Sequence, residues 1–239
     1  MSHHNAIEGL FFDLDGTLLD TSGDFIAVIN QMLAKDNLPE TDSALIRDHV
    51  SEGSRKLIQL AYKIEATDPA LEPLRNRLLN EYDLHISNKQ RKSAACLYEG
   101  IEDLLMALDE NAIRWGVVTN KPFAYAHVLL DQVNLGHRYQ ALICPDHVKK
   151  AKPDPESLLL ACQSAGTRPE QSIYIGDHLR DIDAGRNAGM ITIAALYGYI
   201  SPDDHPEEWQ ADHSVATARE ILPLLEKYKW QLPRRHSDV

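Results

Sequence analysis

The chain has 239 residues, 44% of them apolar, enough for one large domain or one domain with a sizeable insertion. Its 24 Lys and Arg stand against 36 Asp and Glu, a net charge of -12 with no long basic run, which argues against nucleic acid and against an anionic membrane as partners. No apolar stretch approaches the roughly 20 residues that span a bilayer, and the opening MSHHNAIEG has no signal-peptide core, so the expected location is cytoplasmic.

In chain order, the first predicted element is a strand from Ile7 to Asp13, and short β-rich runs recur at 114–120, 140–146, 172–177 and 191–196. Each is nearly continuously apolar, the pattern of strands covered on both faces. Between the later strands lie the helical stretches PFAYAHVLLDQVNL, PESLLLACQSAG and LRDIDAGRNAG, the last two closing on Gly166 and Gly189. Strands alternating with helices predict an α/β fold with a doubly wound parallel sheet. Residues 21 to about 95 break that alternation. Phe25, Val28, Ile29, Met32 and Leu33 keep helical spacing, as do Leu74, Leu78 and Tyr82, and no convincing strand intervenes. The expected organisation is a core of 1–20 and 97–230, an all-helical second domain over 21–96, and a disordered polar tail at 231–239. Cys96, Cys144 and Cys162 are widely spaced and read as buried free thiols, and His3 and His4 as part of a frayed end.

Ligands of open α/β sheets bind beyond the carboxyl ends of the strands, so the residues that follow each run carry the functional expectation. After the first strand come Asp13, Asp15, Gly16 and Thr17; after the second, Thr119, Asn120 and Lys121; after the third, at a distance, Lys152; after the fourth, Gly176, Asp177 and Asp181. At i and i+2, Asp13 and Asp15 can point the same way, roughly 7 Å apart. At an effective dielectric of about 20 they would then repel by on the order of 2 kcal/mol. A lysine, a bound cation or a shared proton would each relieve this, and a plain Asp-Gly turn is the alternative. Taken one at a time, Thr-Asn could be a helix cap, KPDP a helix start and Gly-Asp a turn. Their coincidence at four strand ends points to one shared site. Asp13, Asp15 and Asp177 offer hard oxygen ligands that suit Mg2+, and Lys152, the Thr119 hydroxyl and the Asn120 amide or nearby backbone could hold the oxygens of a phosphoryl group.

DLDGT, VVTN, the KPDP lysine and GDHLRD resemble the four motifs of the haloacid dehalogenase-like phosphohydrolases, and jointly they are highly specific. The resemblance implies that core fold with a helical C1-type cap at 21–96, Mg2+ as cofactor, and a small phosphate monoester as substrate. It further implies Asp13 as the nucleophile that becomes an aspartyl-phosphate, and Asp15 as leaving-group acid and then base toward water, its backbone carbonyl on the metal. Asp13 and Asp177 would be carboxylate ligands, Thr119 and Lys152 phosphate-binding residues, and Asp181 a partner of Lys152 or of the metal's surroundings. An acid at position 15 argues against carbon-halogen cleavage; phosphomutases share all four motifs, and a non-enzymatic binding protein would have little use for both aspartates. ICPDHVKKAKPDPESLLLAC and YGYISPDDHPEEWQAD resemble one subgroup of the phosphoglycolate-phosphatase-like branch, implying a carboxylate-bearing sugar 6-phosphate in peptidoglycan recycling as substrate. In the insertion, Gly53, Ser54 and Arg55 open a helix whose amides and guanidinium could meet a substrate carboxylate, or could be a helix-helix turn with one exposed arginine.

Overall fold

The computed structural model describes residues 7–88 and 93–228; the expectations for His3, His4 and the 231–239 tail lie outside them. In chain order the elements are β1 (Gly9–Phe12), β2 (Leu19–Asp20), α1 (Ser22–Lys35), α2 (Ser43–Asp48), α3 (Ser54–Tyr62), α4 (Leu71–Ile86), β3 (Cys96–Leu97) and α5 (Ile101–Glu110). They continue with β4 (Arg114–Val118), α6 (Phe123–Gln132), β5 (Ala141–Ile143), α7 (Glu156–Ala165), β6 (Ser172–Gly176), α8 (Leu179–Ala188), β7 (Ile191–Ala195), β8 (His213–Val215) and α9 (Ile221–Glu226). Six strands form one sheet in the order β5-β4-β1-β6-β7-β8, every neighbouring pair parallel.

Both faces of this sheet are covered, which is why its central strands are apolar throughout rather than alternating. Leu10 and Phe12 of β1 belong to a core that includes Trp115, Ile173, Ile175 and helices α5 and α6. Phe11, between them, points to the other face, with Val118, Tyr174 and the α7 residues Leu158, Ala161 and Cys162. The parallel register aligns Phe12 with Val117 on one side and with Ile175 on the other, so β1, β4 and β6 end side by side.

β2 and β3 pair antiparallel, Leu19 with Leu97 and Asp20 with Cys96, and between them the described residues form helices and turns only; on the two-residue β3 the Cys96 thiol is exposed, not buried as expected, while Cys144 and Cys162 are buried. Phe25, Val28, Ile29, Met32 and Leu33 of α1 are buried against Leu57 and Ile58 of α3 and Leu78, Tyr82 and Ile86 of α4. This insertion shares one continuous apolar cluster with the sheet's α5–α6 face, and Tyr82 meets Tyr125 of α6 edge-on at 5.8 Å. No helix among the described residues is long and apolar enough to cross a membrane.

Candidate active site

The carboxyl ends of β1, β4 and β6 deliver the predicted residues to one place. Asp13 extends β1 by one step, its N–H donating to the Ile175 carbonyl at 2.8 Å, and the chain then turns at Gly16, whose φ is +82°. A side chain at Gly16 would put its Cβ 2.0 Å from Asp177 Oδ2, so both the conformation and the space require glycine.

Lys152 Nζ is buried and lies 3.0 Å from Asp13 Oδ1 and 2.7 Å from Asp181 Oδ1, with the Val118 carbonyl at 2.9 Å and the Tyr174 hydroxyl at 2.7 Å. Asp181 caps α8 by accepting the His178 N–H at 3.1 Å, which fixes the carboxylate that holds the lysine. Asp177, fully buried after β6, accepts from Thr17 Oγ1 at 3.1 Å, Ser51 Oγ at 2.9 Å and the Tyr199 N–H at 2.8 Å. One carboxylate oxygen from each of Asp13, Asp177 and Asp181 falls within a 4.8 Å cluster.

Three carboxylates gather here around one ammonium, and the ionisation of the group reflects it. Burial, reinforced by Asp181 and Asp15 and opposed by Lys152, pushes the Asp13 carboxyl up to about 6. Burial with Asp13 and Asp181 nearby holds Asp177 well above the usual carboxylate range. For Lys152 burial acts the other way, but the Asp13 and Asp181 charges outweigh it and keep the ammonium protonated. A site with more negative than positive charge and hard oxygen donors fits a small divalent cation such as Mg2+.

The expected repulsion between Asp13 and Asp15 is resolved by two lysines. β1 stops at Phe12, so the i and i+2 side chains are not held on one strand face, and each takes its own partner. Asp15 Oδ1 accepts from Lys121 Nζ at 2.9 Å and from Thr21 Oγ1 at 2.5 Å. Lys121 is packed between the rings of Phe25 and Tyr82, 4.9 and 4.8 Å from their centroids. Sequence reasoning gave Lys121 no role, although its place directly after Thr119 and Asn120 at a strand end was the available signal.

Thr119 and Asn120 follow β4 into the same cavity. The Asn120 amide is taken at both ends by the main chain of Lys152, Oδ1 accepting the Lys152 N–H at 3.2 Å and Nδ2 donating to the Lys152 carbonyl at 3.1 Å. The side chain thus holds the Lys152 main chain and keeps its second Nδ2 N–H, beside the backbone N–H, for a phosphoryl oxygen.

The cavity encloses about 390 Å³ between these strand ends and the helical insertion. Gly53 and Ser54 line it, as expected of that helix start. Arg55 does not: it is exposed, and its Nε pairs with Glu72 Oε1 at 2.6 Å. Arg75 of α4 lines the cavity instead, together with Ser51 and Arg180, and Arg180 donates to the Ser51 carbonyl across the gap between core and insertion. Local sequence offered no reason to prefer Arg75, which lies a helix away from the Gly-Ser-Arg turn. Arg180 was within reach, being part of GDHLRD.

Known proteins resemble this chain over most of its length. A protein of Pseudomonas aeruginosa named N-acetylmuramic acid 6-phosphate phosphatase is 43% identical over 92% of this chain and 96% of its own. A protein of Xanthomonas campestris named phosphoglycolate phosphatase is 40% identical over 85% of this chain and 89% of its own. The crystal structure of a predicted phosphoglycolate phosphatase from Haemophilus somnus superposes with a TM-score of 0.76 at 25% identity, over 91% of this chain and 97% of that one. The family model for haloacid dehalogenase-like hydrolases matches residues 10–195, from β1 through the end of β7, and the chain belongs to that family.

Proposed function

We propose that this phosphatase hydrolyses a carboxylate-bearing sugar 6-phosphate, N-acetylmuramic acid 6-phosphate, through an aspartyl-phosphate on Asp13, with the helical insertion serving as a cap. The observation that carries the chemistry is the pairing of the two aspartates with different lysines: Asp13 beside Lys152 and Asp181, Asp15 apart from them on Lys121. The Asp13 carboxylate attacks phosphorus as the bond to the sugar oxygen breaks, and Asp15, entering the step in its protonated form, delivers the proton that oxygen needs. Asp15, then ionised, takes a proton from water as the water attacks phosphorus, which releases inorganic phosphate and restores Asp13. Lys152 and the Thr119 hydroxyl hold the non-bridging oxygens through both steps. Asp13, Asp177 and the main chain of Asp15 would hold Mg2+, which when bound supplies positive charge to the transferring phosphoryl group.

The substrate reading is supported by the relative named for that ester and by a cavity of about 390 Å³, inside the roughly 300–1,000 Å³ range of small-molecule sites. A two-carbon acid would leave much of that space to water, whereas an amino sugar gains remote contacts that raise the rate. The test is kcat/KM for N-acetylmuramic acid 6-phosphate and 2-phosphoglycolate on one preparation. The sugar ester is expected to be the better substrate, with inorganic phosphate released one for one. A higher value for phosphoglycolate overturns the substrate assignment and leaves the phosphatase intact, while transfer to a second sugar hydroxyl without phosphate release would identify a mutase.

Cation dependence gives a second expectation. In the metal-free fold the carboxyls of Asp13 and Asp177 titrate above their unfolded values, so ionising them costs more in the folded than in the unfolded chain. Their contribution therefore lowers stability as pH rises from the ordinary carboxylate range through about 6. A bound cation reverses that cost but must displace protons at low pH. Mg2+ should raise Tm clearly near pH 8 and little near pH 5, each kcal/mol appearing as about 2–4 °C in a chain of this size. Equal shifts at both pH values would count against the assignment.

A further inference from the structure

We propose that Arg75, oriented by Ser54, is the specificity-determining residue that reads the substrate's carboxylate, an inference that rests on the phosphatase reading above.

The cations that line the cavity are Lys121, Lys152, Arg75 and Arg180, and the two lysines are committed to carboxylates. Lys152 is matched by Asp13 and Asp181, and Lys121 by Asp15. Arg180 gives only Nη2, to the Ser51 carbonyl, but it sits beside Asp181 on the helix that follows β6, at the proposed phosphate end of the cavity, whereas Arg75 stands on α4 across from it. Arg75 is different. Its Nε donates to Ser54 Oγ at 3.0 Å, which fixes the plane of the guanidinium, while its one carboxylate contact, Nη1 to Glu72 Oε2, is long at 3.5 Å. Glu72 is already engaged at 2.6 Å through its other oxygen by Arg55. Arg55 therefore serves as the counter-ion of Glu72, and Arg75, half-buried in the cavity wall, keeps most of its donors for a ligand.

A guanidinium with a fixed plane and unspent N–H groups is suited to a carboxylate, which it can meet with two parallel hydrogen bonds. The neighbouring surface suits an ester of more than two carbons. The same wall continues past Arg75 with Leu79, Tyr82 and Tyr125. Arg75 and Tyr82 both belong to α4, whereas the phosphate-binding groups come from strand ends, so the two ends of the substrate are held by different parts of the chain.

The experiment measures a preference: kcat/KM for N-acetylmuramic acid 6-phosphate divided by that for N-acetylglucosamine 6-phosphate, the same ester without the lactyl group. A ratio on one preparation is insensitive to the fraction of each variant that is folded. Arg75→Gln is expected to lower the ratio at least about tenfold, mainly through KM for the acid. Arg75→Lys, which keeps the charge but not the fork, should recover part of it, and the double variant Arg55→Gln/Glu72→Gln, which removes Arg55 together with the carboxylate it holds, should keep the wild-type ratio. A wild-type preference that survives in Arg75→Gln, or one lost equally in the Arg55→Gln/Glu72→Gln double variant, overturns the Arg75 assignment alone. A wild-type ratio near one removes the acid-ester reading and this inference together.

Discussion

Asp13→Asn is expected to lower kcat at least about 10⁴-fold, the scale on which removing an enzyme nucleophile acts. The amide is nearly isosteric with the carboxylate and can still accept the Leu14 N–H that Asp13 Oδ1 accepts at 2.7 Å, so the local fold should persist. Lys152 keeps Asp181 at 2.7 Å and remains charged, so its proposed contact with the phosphoryl group, and substrate binding with it, should persist. What disappears is the attacking oxygen charge and, with it, one proposed metal ligand. Steady-state rates with excess Mg2+ test the first loss, and mass spectrometry of acid-quenched wild type and variant tests whether the phosphorylated intermediate forms only when Asp13 is present. Chelation by EDTA should suppress wild-type turnover, and added Mg2+ should restore it. Near-normal activity in Asp13→Asn would remove the mechanism outright.

The parts of the fold that were legible before the structure are those where a single local pattern suffices. β1, β4 and β6 are apolar on both faces because helices cover both faces, so their existence could be read directly. Their ends were harder, since Asp13 and Asp177 continue the chain's direction beyond the last residue of β1 and β6. β8, three residues at the sheet's edge with only Val215 buried, carries no comparable signal. Nor does the pairing of β2 with β3, which joins residues far apart in sequence where the insertion is entered and left. α5 is a different case: Ile101, Leu104, Leu105 and Leu108 form a stripe at helical spacing that was available and went unused. Among the site residues, strand-end position was enough to assemble Asp13, Thr119, Lys152 and Asp177. The choice between Arg55 and Arg75 depends instead on which one Glu72 holds, a tertiary fact that no spacing rule contains.

Asp15→Asn should separate proton transfer from metal binding. The variant is expected to lose about 10²–10⁴-fold in rate on a sugar phosphate while keeping its Mg2+ affinity. The geometry behind this is that the Asp15 side chain turns to Lys121 and Thr21, outside the cluster formed by Asp13, Asp177 and Asp181. An amide can keep the Thr21 contact but can neither donate the leaving-group proton nor receive one from water. It also leaves the buried Lys121 ammonium without its counter-charge between Phe25 and Tyr82, so a lower Tm is expected and rates must be compared well below it. Leaving-group chemistry then distinguishes the two roles. p-Nitrophenolate departs without protonation, so phosphorylation of Asp13 by p-nitrophenyl phosphate should survive in the variant while hydrolysis of the intermediate, which still needs a base, remains slow. The expected trace is a burst of one equivalent of p-nitrophenol per active site followed by slow turnover, with no comparable burst from the sugar ester. Isothermal calorimetry on the same variant reports the metal. If Mg2+ affinity collapses together with activity, the Asp15 side chain is itself a ligand, and the absence of a burst would have to be attributed to the missing cation rather than to a missing acid.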